Sequence, residues 1–132
     1  MLDFSGTDDL RLLAEERILE AEALLAAGLH SGAYYLAGYA VELGLKAVLT
    51  RHLSSHALPS KDALIKTLTH RLVDLAKNAG LDPASDSVVA VSWGLVSASW
   101  SVEARYRMHA GTDATDMVES AREIYDWLEP RW

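Results

Sequence analysis

The residues best suited to chemistry lie in RYRMHAGTD, positions 105–113, a basic run in an otherwise acidic chain. The guanidinium groups of Arg105 and Arg107 can grip phosphate through paired hydrogen bonds, and Tyr106 can stack on a base. His109 brings an imidazole that changes charge near neutral pH. The same residues have a structural reading, as cations favoured at the negative end of a helix dipole. Arg105 or Arg107 could equally pair with Glu42 or Glu103. A second Arg–His combination is Arg51 with His56, with four residues between them. A third set is Tyr35, Tyr39, Glu42 and Lys46, which fall on one helix stripe at i, i+4, i+7 and i+11. Charges in so apolar a stretch need partners, because burying an unpaired charge is costly. Glu42 and Lys46 are therefore either a structural i,i+4 pair or a polar notch for a ligand or a partner's charged group.

Other chemistries find little support. His30, His52, His56 and His70 stand at expected helix ends or in connectors, none at convincing metal-ligand spacing, so no metal is expected. The sequence has no Gly-rich phosphate loop and no serine-nucleophile motif, and no cofactor is implied. With no cysteine among its 132 residues, disulfide and thiolate-zinc frameworks are excluded. The formal net charge of −7 argues against bulk, charge-driven binding to DNA or RNA, but leaves room for a local basic site or a basic protein partner. The acidic start, MLDFSGTDD, does not read as a signal peptide, and no apolar run is long enough to span a membrane. A cytoplasmic location is the expectation.

The elements that must position these residues read as helices. The organising stretch is Ser31 to His52, apolar on nearly every side. Ala33, Ala37, Ala40, Gly44 and Ala47 form a ridge of small residues that another helix can approach closely. Before it, a helix is predicted from Asp8 to Ala27, with Thr7 as N-cap and Gly28 as the stop. The short Leu29–His30 turn makes these two helices antiparallel neighbours. After the connector LSSHALPS, residues 61–78 read as one kinked helix or two, the second beginning near Thr69 and stopping at Gly80. Asp82-Pro83 marks a turn. One long helix is then predicted from Ser85 to Tyr106, with Trp93 and Trp100 on a shared face. Thr112, Asp113 or Thr115 can cap the last helix, whose apolar side runs from Met117 through Ala121, Ile124 and Tyr125 to Leu128. The expectation is all-α: an up-and-down four-helix bundle with an extra short helix, forming one domain over 1–132.

Three segments carry a family resemblance. AYYLAGYAVELGLKAVL, at 33–49, closely resembles the second helix of HEPN-domain proteins. THRLVDLAKNAGL, at 69–81, resembles the family's third-helix segment, and WSVEARYR with the amphipathic helix ending IYDWL resembles its C-terminal part. The resemblance implies a HEPN-like helical bundle, often a homodimer, that binds nucleotides or RNA. It also implies a place in a toxin–antitoxin or defence pair with a small nucleotidyltransferase antitoxin. Ribonuclease members carry an Arg followed by a His after four to six intervening residues. His serves as acid or base on the ribose and leaving oxygens, while Arg steadies the phosphate, without a metal. Here Arg105 and His109 have only three residues between them, a departure from that pattern. The site assigned on this basis is Arg105, Tyr106 and Arg107 for nucleotide or RNA, with Arg105 and His109 as the catalytic pair. Tyr35, Tyr39, Glu42 and Lys46 are assigned as buried or interface polar residues. The homodimer is expected through the small and aromatic faces of the second helix. The alternatives are a metal-independent ribonuclease toxin and a non-catalytic protein-interaction module.

Overall fold

The computed structural model describes residues 7–54 and 69–132, and among these every regular element is helical. The first helix, α1, spans Thr7–Ala26. It ends in a Schellman motif: Gly28 takes φ +77°, Leu29 N–H donates to the Leu24 carbonyl, and Gly28 N–H donates to that of Leu25. Helix α2, His30–Ser54, follows at once. Helix α3 is the short Leu72–Asn78, α4 is Ala90–Ser99 and α5 is Gly111–Leu128.

Contacts along the helices give their directions. The His30 ring lies against Gly111, at the start of both α2 and α5, while Gly44 of α2 meets Leu128 and Trp132 near the end of α5. Helices α2 and α5 are therefore parallel. Arg122 of α5 pairs with Glu22 late in α1, and Arg11 early in α1 lies over Trp132, so α1 runs opposite to α5. Helix α4 also runs opposite to α5: Asp86, just ahead of α4, accepts from Trp127 Nε1, and Ser92 donates to Glu123. These four form the expected up-and-down bundle, with α3 as the extra helix on α2.

Helix α2 is the core element. Ala33, Ala37, Ala40, Val41, Leu45 and Ala47 are wholly buried. A Cβ on Gly44 would stand 3.0 Å from a Leu128 methyl and 3.1 Å from the Trp132 ring. The small-residue ridge is thus closed by helices of its own chain. That face is not open to a second copy, so a homodimer has to meet through another surface.

Three local expectations are corrected. The helix predicted over 85–106 is broken into a 3-10 turn at Pro83–Ser85, α4, and a second 3-10 turn at Val102–Tyr106. The break is at Trp100, whose backbone is extended (φ −101°, ψ 139°). Its indole N–H donates to the Tyr35 carbonyl at 3.1 Å. The ring also fills the space where Gly38 lacks a side chain, and a Cβ there would fall 2.2 Å from the indole. Tertiary packing of one indole overrides local helical propensity. Trp93 and Trp100 are both buried, but they do not share a helix face. Helix α3 starts at Leu72 rather than near Thr69, because the Thr69 hydroxyl accepts the Arg71 N–H in a turn and Arg71 is extended. Helix α5 starts at Gly111 with Ala110 at the N-cap and no side-chain cap; the Thr115 hydroxyl bonds instead to the Gly111 carbonyl.

Candidate functional site

Once Trp100 is pinned, the chain must turn sharply before α5. Ser101 is extended, and the 3-10 turn tucks Ala104 into the core, its N–H bonded to the Ser101 carbonyl. The side chains on either side of Ala104 then point to water: Arg105, Tyr106, Arg107 and Met108 are all exposed. The Arg105 guanidinium lies 4.9 Å from the centre of the Tyr106 ring. Arg107 pairs with Glu103 at 3.4 Å. An ion pair this exposed is worth about 1 kcal/mol at most, so Glu103 does not commit Arg107.

His109 is held differently. Its N–H donates to Ser31 Oγ at 2.9 Å, and its Nε2 lies 3.2 Å from the Ala104 carbonyl. Only a protonated nitrogen can bond a carbonyl, so Nε2 carries hydrogen and Nδ1 is left as the basic atom. The ring stacks on Tyr34 at 3.7 Å between centres, nearly parallel at 6°. The Tyr34 hydroxyl in turn donates to the Ser99 carbonyl at 3.0 Å. Burial raises the Tyr34 pKa, nearby Asp113 raises it further, and Arg107 acts the other way. Both charges therefore stand near that ring. Beside it, His109, Leu95, Asp113, Asp116 and Met117 line a cavity of about 210 Å³. Arg105 and His109 are thus brought to one end of the bundle, but Arg105 stacks on Tyr106 while His109 serves the Ala104 carbonyl.

This end also gathers the N-termini of the parallel helices α2 and α5. The first turn of α2 holds no acid, so its positive dipole end is uncompensated locally; Asp113 partly compensates that of α5. A larger groove, about 500 Å³, lies at the opposite end between α1 and α5. Charges of both signs line it, and Arg122 is held there by Glu22. Arg51 lies in the last turn of α2, also at that far end, and His56 falls outside the described residues.

The polar stripe of α2 is a second site. Glu42 is buried, and its Oε2 stands 3.0 Å from Lys46 Nζ. The expected i,i+4 pair is present, and His70, from the segment before α3, joins it with Nδ1 3.0 Å from the same oxygen. Glu42 Oε1 is buried without a hydrogen-bond partner among the described residues. Up the stripe, Tyr39 and Tyr35 stack at 5.9 Å between centres, and Tyr35 stacks on Trp100, also at 5.9 Å. Burial, then Glu42, raises the Tyr39 pKa. Sequence reading missed His70, because the 28 residues separating it from Glu42 carry no local periodic signal. No cluster of His and carboxylates suited to a metal occurs among the described residues. No described helix is long and apolar enough to cross a membrane.

No curated protein and no solved structure matches the chain. The family model described as HEPN domain does match, over residues 7–131, and nearly the whole bundle falls within that match. The chain belongs to the HEPN domain family.

Proposed function

We propose that this protein is a nucleotide- or RNA-binding HEPN module whose contact surface is the Arg105–Tyr106–Arg107 turn. Family membership supports a nucleotide-binding or ribonuclease-like module. The observation that carries the reading is the exposure of two arginines and a tyrosine on a turn whose backbone is anchored by buried Trp100 and Ala104. The arginines supply phosphate contacts and Tyr106 a stacking face, at the bundle end where two helix N-termini add positive potential. The net charge of −7 limits an anionic ligand to local basic surface such as this turn.

In this reading the module works in the cytoplasm as one member of a toxin–antitoxin or defence-type pair with a small nucleotidyltransferase. It self-associates through a surface other than the ridge of α2. Equilibrium titration with ATP, other nucleotides and short RNAs tests the site. Binding that weakens by roughly tenfold in Arg105→Ala is expected, as for loss of one charge-assisted contact. Binding indifferent to Arg105→Ala and Arg107→Ala would remove the turn from the account.

A further inference from the structure

The two histidines near the sites described are prepared for different work. In His109 the ring is stacked and one nitrogen is spent on a backbone carbonyl. In His70, Nδ1 faces Glu42 Oε2 at 3.0 Å, and the imidazole is 58% exposed. A carboxylate accepts and does not donate, so the shared hydrogen belongs to Nδ1 and the Nε2 lone pair points away from Glu42. No described group bonds Nε2. Glu42 itself is fixed, since it is 98% buried by side chain (2% exposed) and Lys46 holds the same oxygen from the other side. A buried carboxylate orienting an exposed imidazole is the arrangement that prepares a histidine for proton transfer.

Placement links His70 to the cationic turn. Trp100 leads directly into that turn, and the stack Trp100–Tyr35–Tyr39 runs from it down the α2 stripe to Glu42. Glu42 lies 11 residues beyond Ser31, about 16 Å along the helix axis. Half-buried Tyr35 and Tyr39 stand between Trp100 and Glu42 on that stripe.

We propose that His70, rather than His109, is the proton-transferring histidine of this chain, with Glu42 as its positioning residue, acting on an RNA strand bound at the Arg105–Arg107 turn. The inference rests on the RNA-binding reading above. His70 Nε2 takes the proton of a ribose 2′-hydroxyl. The 2′-oxygen forms a bond to the adjacent phosphorus as the bond from phosphorus to O5′ breaks. The leaving O5′ takes a proton from the imidazolium, returning His70 to its starting state. The products are a 2′,3′-cyclic phosphate and a 5′-hydroxyl end, with no change of oxidation state.

The test uses the full chain and a labelled single-stranded RNA of mixed sequence in the presence of a chelator, with binding read by anisotropy and cleavage by gel. The expected result is cleavage by the wild type that falls about 100-fold in His70→Ala while RNA affinity stays unchanged. Glu42→Gln should lower kcat with little change in KM and alter the pH–rate profile, which a merely structural residue would not do. Should Glu42→Gln lose its helical signal, nitrogen NMR of His70 in the wild type decides the same point. Nε2 must be the unprotonated nitrogen of the neutral ring, and a proton on Nε2 would overturn the proposal. RNA that binds but is not cut, or is cut equally by His70→Ala, overturns the proposal and leaves the binding surface standing. RNA that does not bind removes both.

Discussion

The Glu42 notch and the Arg105–Arg107 turn hold similar chemical groups under opposite conditions. Each has cations, a histidine nearby and tyrosines within reach. In the notch, Glu42 is buried and every charge has a partner, with Lys46 and His70 converging on one oxygen. At the turn, Arg105 and Arg107 stand in water, and their nearest contacts are an exposed ring and an exposed carboxylate. Burial makes the first arrangement rigid and costly to break, because a lone charge left inside has no solvent to compensate it. Exposure makes the second nearly free of consequence for folding and leaves its donors available to a ligand. The backbone beneath the turn is nonetheless fixed, since Trp100 is locked against Gly38 and Tyr35. A recognition surface here is mobile side chains on an immobile frame.

The contrast can be broken most forcefully at Glu42. Glu42→Ala should destabilise the fold by about 3 kcal/mol, read in chemical denaturation, because it strands Lys46 and opens a void in α2. Lys46→Met in the same background should recover part of that loss, since an apolar chain needs no partner there. Gly38→Ala comes next, at about 2 kcal/mol, because the new methyl overlaps the Trp100 indole and must displace it. Tryptophan fluorescence should change with it. At the turn, Arg105→Ala with Arg107→Ala should alter stability by less than about 0.5 kcal/mol yet weaken RNA binding by roughly 30-fold. Equal losses of stability at Glu42 and at the arginines would erase the distinction.

The smallest effect concerns pH. Asp86 accepts first from the Trp127 indole N–H and then from the Val88 N–H, and both hold its carboxyl below the usual aspartate range. A depressed folded-state pKa stabilises the protein above the unfolded value, near 3.8, and that contribution fades as pH falls through the folded value. Wild type should therefore lose stability below about pH 3.8 more steeply than Asp86→Asn, measured by denaturant midpoints across that range.

How far the sequence was legible follows from the range of each interaction. Helix α5 announced itself through 3.6-residue periodicity, α2 through apolarity on nearly every side, and Gly28 and Gly80 through the left-handed stops they provide. The Glu42–Lys46 pair, four residues apart, was equally visible. The break at Trp100 was not, because its cause is a contact with Gly38 and Tyr35, more than sixty residues away. His70 on Glu42 and Asp86 under Trp127 are hidden for the same reason. The cationic turn was found by composition alone, and its exposure came from the broken helix that local patterning did not anticipate. The apolarity of α2 did not separate a dimer face from a core face, and its small-residue ridge is covered by its own chain, because a helix surrounded by its own chain is also apolar all round.

The central claim is that Arg105 and Arg107 contact phosphate. Its most direct test is the salt dependence of single-stranded RNA binding, measured by anisotropy for the wild type and the Arg105→Ala/Arg107→Ala double variant. For single strands each phosphate contact contributes about 0.7 to the slope of log affinity against log salt, so the double variant should be shallower by about 1.4. Its binding should also be weaker at every salt concentration. Identical slopes and affinities for the two proteins would contradict the account.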